Sequence, residues 1–305
     1  MLSALWRRFR VSQANVLTVP AAEAERYSFW GDFWRRLRRN RIALGSLVFL
    51  AGLAFVAVAA PLVAPYDPYY GEMPKALQSP SAAHWLGTDE LGRDILSRII
   101  FGAQVSLKVG FLAVGIAVTC GIVLGAVAGY YGRWIDNLIM RFMDIMLAFP
   151  SLLLAIAFMA VLGKGVENAI IAIAIVSIPE YARIVRGSVL SIKENDYVQA
   201  ARAIGNPDHA IIFRHVLPNV MGPIIVRSTL GVSTAILEAA ALGFLGLGVQ
   251  PPYAEWGTML GSGRAYIFNA PHLVYFPGVA ITLTVMAFNL FGDGLRDALD
   301  PRLRR

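Results

Sequence analysis

The sequence predicts an all-α polytopic membrane protein with six transmembrane helices, and three observations carry that expectation. Hydrophobic residues make up 57% of the 305-residue chain and charged residues only 15%, against about 25% charged in a soluble domain. Mean hydropathy is +0.58. The apolar residues gather into six stretches, 42–64, 106–130, 138–161, 167–187, 220–249 and 273–292, each near the ~20 residues a helix needs to cross the hydrocarbon core.

The first stretch also sets the orientation. Residues 1–41 carry nine Lys/Arg against three Asp/Glu, whereas residues 65–104 carry three against five. By the positive-inside rule the N-terminus is cytoplasmic, and six spans return the C-terminus, with Arg296, Arg302, Arg304 and Arg305, to the same side. The net charge of +7 therefore speaks for a membrane flank rather than for nucleic-acid binding, because the arginines abut a span. Ala57-Val58-Ala59 looks like a signal-peptidase site, but the preceding basic region and the apolar run are both too long for a signal peptide, so the helix is expected to stay. Within the tail, Phe29-Trp30-Gly31-Asp32-Phe33-Trp34-Arg35-Arg36-Leu37 is either a helix lying at the lipid headgroups or the aromatic belt and basic flank of the first span. Four regions follow: a cytoplasmic tail 1–41, the first span and extracytoplasmic loop 42–104, a core 105–293 holding an inner hairpin 194–219, and a cytoplasmic tail 294–305.

The loop 65–104 opens with the turn-forming Pro65-Tyr66-Asp67-Pro68 and contains His84-Trp85-Leu86-Gly87-Thr88-Asp89-Glu90-Leu91-Gly92-Arg93-Asp94. Thr88 or Asp89 is expected to cap a helix leading into the second span; the loop is a docking or gating surface, or a well-packed connector. In the second span Gly121, Gly125 and Gly129 form a small-xxx-small stripe, which lets two helix backbones approach closely. Arg141 and Asp144, early in the third span, stand at i and i+3 and are expected to pair at the interface. Pro179 and Glu180 interrupt the fourth. The fifth, long enough to bend, carries Ala235, Ala239 and Gly243 on one face, Gly246 and Gly248 beyond them, Arg227 near its start and Glu238 midway. Ionisable groups at such depth usually face a cavity or each other, so Glu238 is a candidate for the wall of a translocation pathway or for a structural hydrogen bond. Arg227 and, in the sixth span, Asn289 are weaker candidates of the same kind.

Other chemistries find little footing. The single cysteine, Cys120, allows no disulfide framework, and His84, His209, His215 and His272 share no metal-ligand spacing. Gly163-Lys164-Gly165 lacks the upstream Gly and the following Ser/Thr of a phosphate loop, so ATP is not bound by that route, and no resident cofactor is expected.

The polar stretch between the fourth and fifth spans reads as two short capped helices. Asp196 caps the first, with Gln199 completing a capping box, and Gly205 ends it in a left-handed turn. Asn206 caps the second with Pro207 at its first position, and Pro218 stops it. Tyr197, Ala200, Ala201 and Ile204 share one face at i, i+3, i+4 and i+7, an apolar strip with small residues at its centre that suits a groove on another protein or a seat on the chain's own bundle.

Here the residues carry a resemblance. Gln199-Ala200-Ala201, then Gly205, His215 and Leu217-Pro218, is similar to the Glu-Ala-Ala coupling motif of binding-protein-dependent ABC importer permeases. Gln199 in place of Glu and His215 in place of Ile are departures that look like the dipeptide/oligopeptide/nickel branch. Leu86-Gly87-Thr88-Asp89 with Gly92-Arg93-Asp94, Arg141 to Met146 with Phe149-Pro150-Ser151, Ala241 to Gly248 and Phe288 to Gly294 agree with it, and the N-terminal span and Asp300 to Leu303 ending resemble its "C"-type permease. The resemblance implies a type I ABC importer permease fold in a bacterial inner membrane. It also implies a homologous second permease, two ATPase subunits carrying ATP and Mg, and an extracytoplasmic solute-binding protein. This chain would not itself be an enzyme, and Asp196 to Gly205 with His215, Leu217 and Pro218 would be its ATPase-coupling element. The solute implied is a dipeptide or oligopeptide, with nickel, glutathione or another small solute carried by the same machinery as the alternative. An ion-gradient-driven transporter would show inverted repeats and several intramembrane carboxylates; a membrane scaffold would have no use for such a hairpin.

Overall fold

In hydrocarbon a backbone N–H or C=O has no water to bond, so a long apolar run pairs these groups internally as a helix. The computed structural model describes residues 29–299 and follows that rule. In chain order the helices are α1 (Phe29–Arg39), α2 (Arg41–Val58), its short continuation α3 (Ala60–Val63), α4 (Ile95–Tyr131), α5 (Arg133–Leu147), α6 (Ser151–Leu162), α7 (Val166–Ile192), α8 (Asp196–Ala203), α9 (Asp208–Ile211), α10 (Leu217–Phe244), α11 (Trp256–Gly263) and α12 (His272–Leu299). Among the described residues, α2, α4, α7, α12 and the run from α9 through α10 are long and apolar enough to cross a bilayer. Residues 1–28 of the basic tail, and Asp300 to Leu303 with Arg302, Arg304 and Arg305, lie outside the described residues.

Several expectations are corrected. The third stretch, 138–161, is two helices, α5 and α6, bent by 94°. Pro150 supplies no N–H and pushes the residue before it away from helical backbone, so a new helix starts at Ser151; the count reaches six only if the bent pair is one span. Pro179 and Glu180 do not interrupt the fourth stretch: Pro179 is buried within an unbroken α7. The fifth ends at Phe244 rather than 249, where Gly246 turns the chain with φ +74° and Leu247 N–H donates to the Leu242 carbonyl at 2.9 Å. The segment 294–299 is helical, for α12 runs on to Leu299. Leu37 of α1, Ala43 of α2 and Ala298 of α12 form one small buried cluster. The segment 29–39 is thus a helix with one apolar edge seated on the bundle.

The cap of α4 is Asp94, not Thr88 or Asp89. Its carboxylate accepts from Ser97 N–H at 2.8 Å and stands 3.0 Å from His84 Nδ1. Asp89 instead folds the loop, accepting from Leu91 and Arg93 N–H, both at 2.9 Å, and from Arg93 Nε at 2.7 Å. Arg98 donates to the Pro68 carbonyl at 2.9 Å. These groups are buried and anchor the connector 64–94 to the start of α4, while Tyr70, Met73 and Trp85 of the same loop stay exposed. At that same end Glu255 caps α11, accepting from Gly257 and Thr258 N–H, both at 2.8 Å; burial pushes its carboxyl up from the ordinary range while those bonds pull it back.

The core sits between α4 and α7. Two apolar helices in lipid gain little from hiding apolar surface, so close packing must hold them. A methyl group on Gly121 would strike Tyr181, one on Gly125 would lie 2.7 Å from Val185 Cβ, and one on Gly129 would lie 2.9 Å from Val189 Cβ. Ala113, Ala117, Ile173, Ala174, Val185 and Val189 are buried along the same helices. With 37 residues at 1.5 Å each, α4 is about 55 Å long. It carries the connector at one end and residues 193–216 at the other.

This packing predicts that Gly125→Val destabilises the purified protein by about 1–3 kcal/mol, the usual range for forcing extra carbons into a filled core. Gly115→Val on the open side of the same helix, where nothing lies within 4 Å, leaves it unchanged. Thermal unfolding in detergent compares the two directly.

Candidate functional site

The hairpin 194–219 begins at the end of α7, where Lys193 Nζ donates to the Gly129 carbonyl at 2.9 Å. The cap of α8 is Asn195, not Asp196, and no side-chain cap bond forms there. Gln199 does not complete a capping box: its Nε2 donates to the Lys193 carbonyl at 2.9 Å and braces the turn. Asp196 lies in the first turn and Arg202 in the last, the arrangement the helix dipole favours. The exit is as expected. Gly205 takes φ +84°, Gly205 N–H donates to the Arg202 carbonyl at 3.0 Å and Asn206 N–H to the Ala201 carbonyl at 3.2 Å. That pair of bonds is a Schellman motif, which needs a left-handed residue and so favours glycine.

The apolar strip divides in two. Tyr197, Ala200 and Ile204 point outward, Ile204 being 80% exposed. Ala201, expected on the same strip, turns inward with Val198. Both join a buried cluster with Val185, Val189, Ile211, Val216 and Val220. A strip four residues wide spans a broad arc of the helix, and the inner edge of that arc is claimed by the bundle. Phe213, which the sequence reading passed over, is 69% exposed.

The second helix starts at Asp208, with Pro207 rather than Asn206 in the cap position. Asp208 accepts from the Tyr130 hydroxyl at 2.7 Å, and Arg202 lies over the Tyr130 ring, 5.3 Å from its centroid. Pro218 does not stop this helix. Residues Ile212–Val216 form one π turn and lead into α10, so Pro218 falls in the first turn of the new register, where a missing N–H and fixed φ are tolerated. His215 is half-buried in that turn, and its carbonyl accepts from Asn219 Nδ2 at 2.7 Å; Leu217 packs against the same buried cluster. The hairpin is therefore fastened to α4 twice, at Gly129 and at Tyr130.

On an exposed face of the bundle, Asp144 pairs with Arg183 of α7 at 2.7 Å rather than with Arg141, which is exposed and has no ion-pair partner among the described residues. The reason is that α5 packs against α7, and a carboxylate there meets an arginine from the facing helix. About one turn along α7 and two back along α5, Arg186 grips both oxygens of Asp136 at 2.5 and 2.6 Å, a contact across 50 residues that no local spacing could announce. Asn289 of α12 accepts from the Ser233 hydroxyl of α10 at 2.7 Å, a bond between helices. Arg227 pairs with Glu180, and Glu238 holds a buried carboxylate oxygen with no hydrogen-bond partner among the described residues.

Against this geometry, comparison with known proteins is consistent along the chain. Residues 121–305 match the family of the binding-protein-dependent transport system inner membrane component, and residues 28–80 match the N-terminal TM domain of oligopeptide transport permease C. The dipeptide transport system permease protein DppC of Alkalihalophilus pseudofirmus is 52% identical over 275 residues, 90% of each chain. The glutathione transport system permease protein GsiD of Shigella boydii is 49% identical over 300 residues, 98% of each chain. The fold is shared with the MetNI methionine ABC transporter in inward facing conformations, at TM-score 0.54 and 19% identity over 67% of this chain and 96% of that one. It is shared too with an amino acid ABC transporter crystallised with histidines, at TM-score 0.51 and 17% identity over 66% and 94%. The chain thus belongs to the inner membrane components of binding-protein-dependent transport systems, as an ABC importer permease with a permease-C N-terminal domain.

Proposed function

We propose that this chain forms one half of the translocation pathway of an ATP-driven importer for dipeptides or oligopeptides, and that the hairpin 194–219 is the joint through which it is driven. It pairs with a homologous second permease. Two ATPase subunits, which carry ATP and Mg, dock at the hairpin, and an extracytoplasmic solute-binding protein delivers solute at the connector end. Both termini are cytoplasmic, following the arginines at residues 35–41. The observation that carries the reading is an outward strip, Tyr197, Ala200 and Ile204, on a helix whose other side, Val198 and Ala201, is locked into the core. Such a helix can take a push from a partner's groove without rolling. Lys193 to Gly129 and Asp208 to Tyr130 pass that push to the end of α4.

Substrate class follows from relatives named for dipeptide and for glutathione transport; both solutes are short peptides with a free ammonium group and carboxylates. ATP is hydrolysed in the partner subunits, and this chain supplies the moving wall.

Three outcomes are expected. Ile204→Asp places a charge at the far end of the docking strip, so the transporter purified from native membranes loses most of its nucleotide-binding subunits and its ATP-driven uptake; full uptake with a full complement of subunits would remove the hairpin from the coupling path. Gly205→Val meets a left-handed backbone that costs a side-chain-bearing residue about 1–2 kcal/mol, so ATP hydrolysis continues while uptake falls. Tyr130→Phe keeps the ring under Arg202 but deletes the hydroxyl's contacts with Asp208 and Arg202, and hydrogen exchange at residues 206–212 accelerates while the rest of the bundle keeps its protection.

A further inference from the structure

Charged side chains within a spanning segment are costly unless they face one another or water, and on the face shared by α7 and α10 they are unevenly matched. Two carboxylates, Glu180 and Glu238, stand against one guanidinium, and only Glu180 pairs with it. Arg227 is bonded to Glu180 and lies over the Tyr181 ring, 6.0 Å from its centroid. Glu238 stands about three turns further along the same face of α10, with its Oε2 buried and without a hydrogen-bond partner among the described residues. Ser151, in the first turn of α6, lies beside its carboxylate, and Thr234, one turn back on α10, is exposed on the same side. The bend before Ser151 brings the start of α6 here.

Resting on the importer reading above, we propose that Glu238, flanked by Ser151 and Thr234, is a cation-accepting site on the wall of the translocation pathway, and that it takes the ammonium group of the solute in transit. A primary ammonium offers three N–H donors, matching a carboxylate oxygen and two hydroxyls. A bare metal ion fits poorly, because among the described residues no three His, Cys, Asp or Glu side chains gather to hold one. The arrangement also assigns this face to the water of the pathway. Asn289, already tied to Ser233, takes no part.

The test reads charge and water directly, without a choice of solute. Cys120, the chain's own cysteine, is replaced by alanine, and Ser151→Cys or Thr234→Cys is introduced singly into the intact transporter in native membranes. Each is then labelled with a thiosulfonate reagent bearing a trimethylammonium group and with one bearing a sulfonate, both rates being normalised to those of a free thiol. The expected result is labelling at both positions with a cation preference of at least tenfold, reduced at least fivefold when Glu238→Gln is added. No labelling at either position would place this face in lipid. Labelling without a cation preference, or with one that Glu238→Gln leaves intact, would show a wetted face on which Glu238 recognises nothing. Either result overturns the proposal. Failure of ATP-driven peptide uptake would instead strike the importer reading and leave the labelling pattern standing.

Discussion

The close approach of α4 and α7 at Gly121, Gly125 and Gly129 is the constraint on which the rest of this structure depends. Lipid offers little hydrophobic drive to join two largely apolar helices, so their association rests on how near the backbones can come. Three missing methyl groups bring Tyr181, Val185 and Val189 onto the α4 backbone. That contact runs to the end of the stripe and one residue beyond: the carbonyl of Gly129 receives Lys193, and the hydroxyl of Tyr130 holds Asp208. A single seam thus joins the interior of the bundle to the hairpin.

Hairpin and connector stand at opposite ends of α4 and solve different problems. The connector is bound by buried charge. Asp89 holds Arg93, Asp94 caps α4 and meets His84, and Arg98 reaches the Pro68 carbonyl, so the start of α4 is fixed by many directional bonds at once. The hairpin is bound on one side only, through Val198 and Ala201, and leaves Tyr197, Ala200 and Ile204 uncovered. Under the proposed coupling role, an element that receives a partner needs a rigid back and a free front, and α8 has a buried side and an exposed one.

How much of this was legible in the sequence depended on the range of the interaction. The glycine stripe could be read because helical period alone places Gly121, Gly125 and Gly129 on one face, and Gly205 because a left-handed exit is written in one residue. Caps were harder. Thr88, Asp89 and Asp94 all have cap chemistry, and His84 with Ser97 decides among them by meeting Asp94 in space. The break before Ser151 was visible as Pro150, yet apolar residues on both sides of it read as one span. Asp144 with Arg183 and Asp136 with Arg186, 39 and 50 residues apart, belong to the packing of α5 on α7 and leave no local signal. Ala201 was misplaced because a helix wheel gives the width of an apolar strip, whereas its inner edge is set by whatever the bundle brings against it.

The central claim is that the hairpin moves as one body with the end of α4 when the transporter turns over. Paired spin labels at His209 of the hairpin and Val123 of α4, both exposed and both outside the docking strip, measure it in the assembled transporter, nucleotide-free and again with ATP trapped. The account predicts the same distance distribution within this chain in the two states, while the distance from His209 to a label on the second permease changes. A distribution within the chain that shifts or splits on ATP trapping would contradict it, because the hairpin would then be flexing on the bundle instead of driving it.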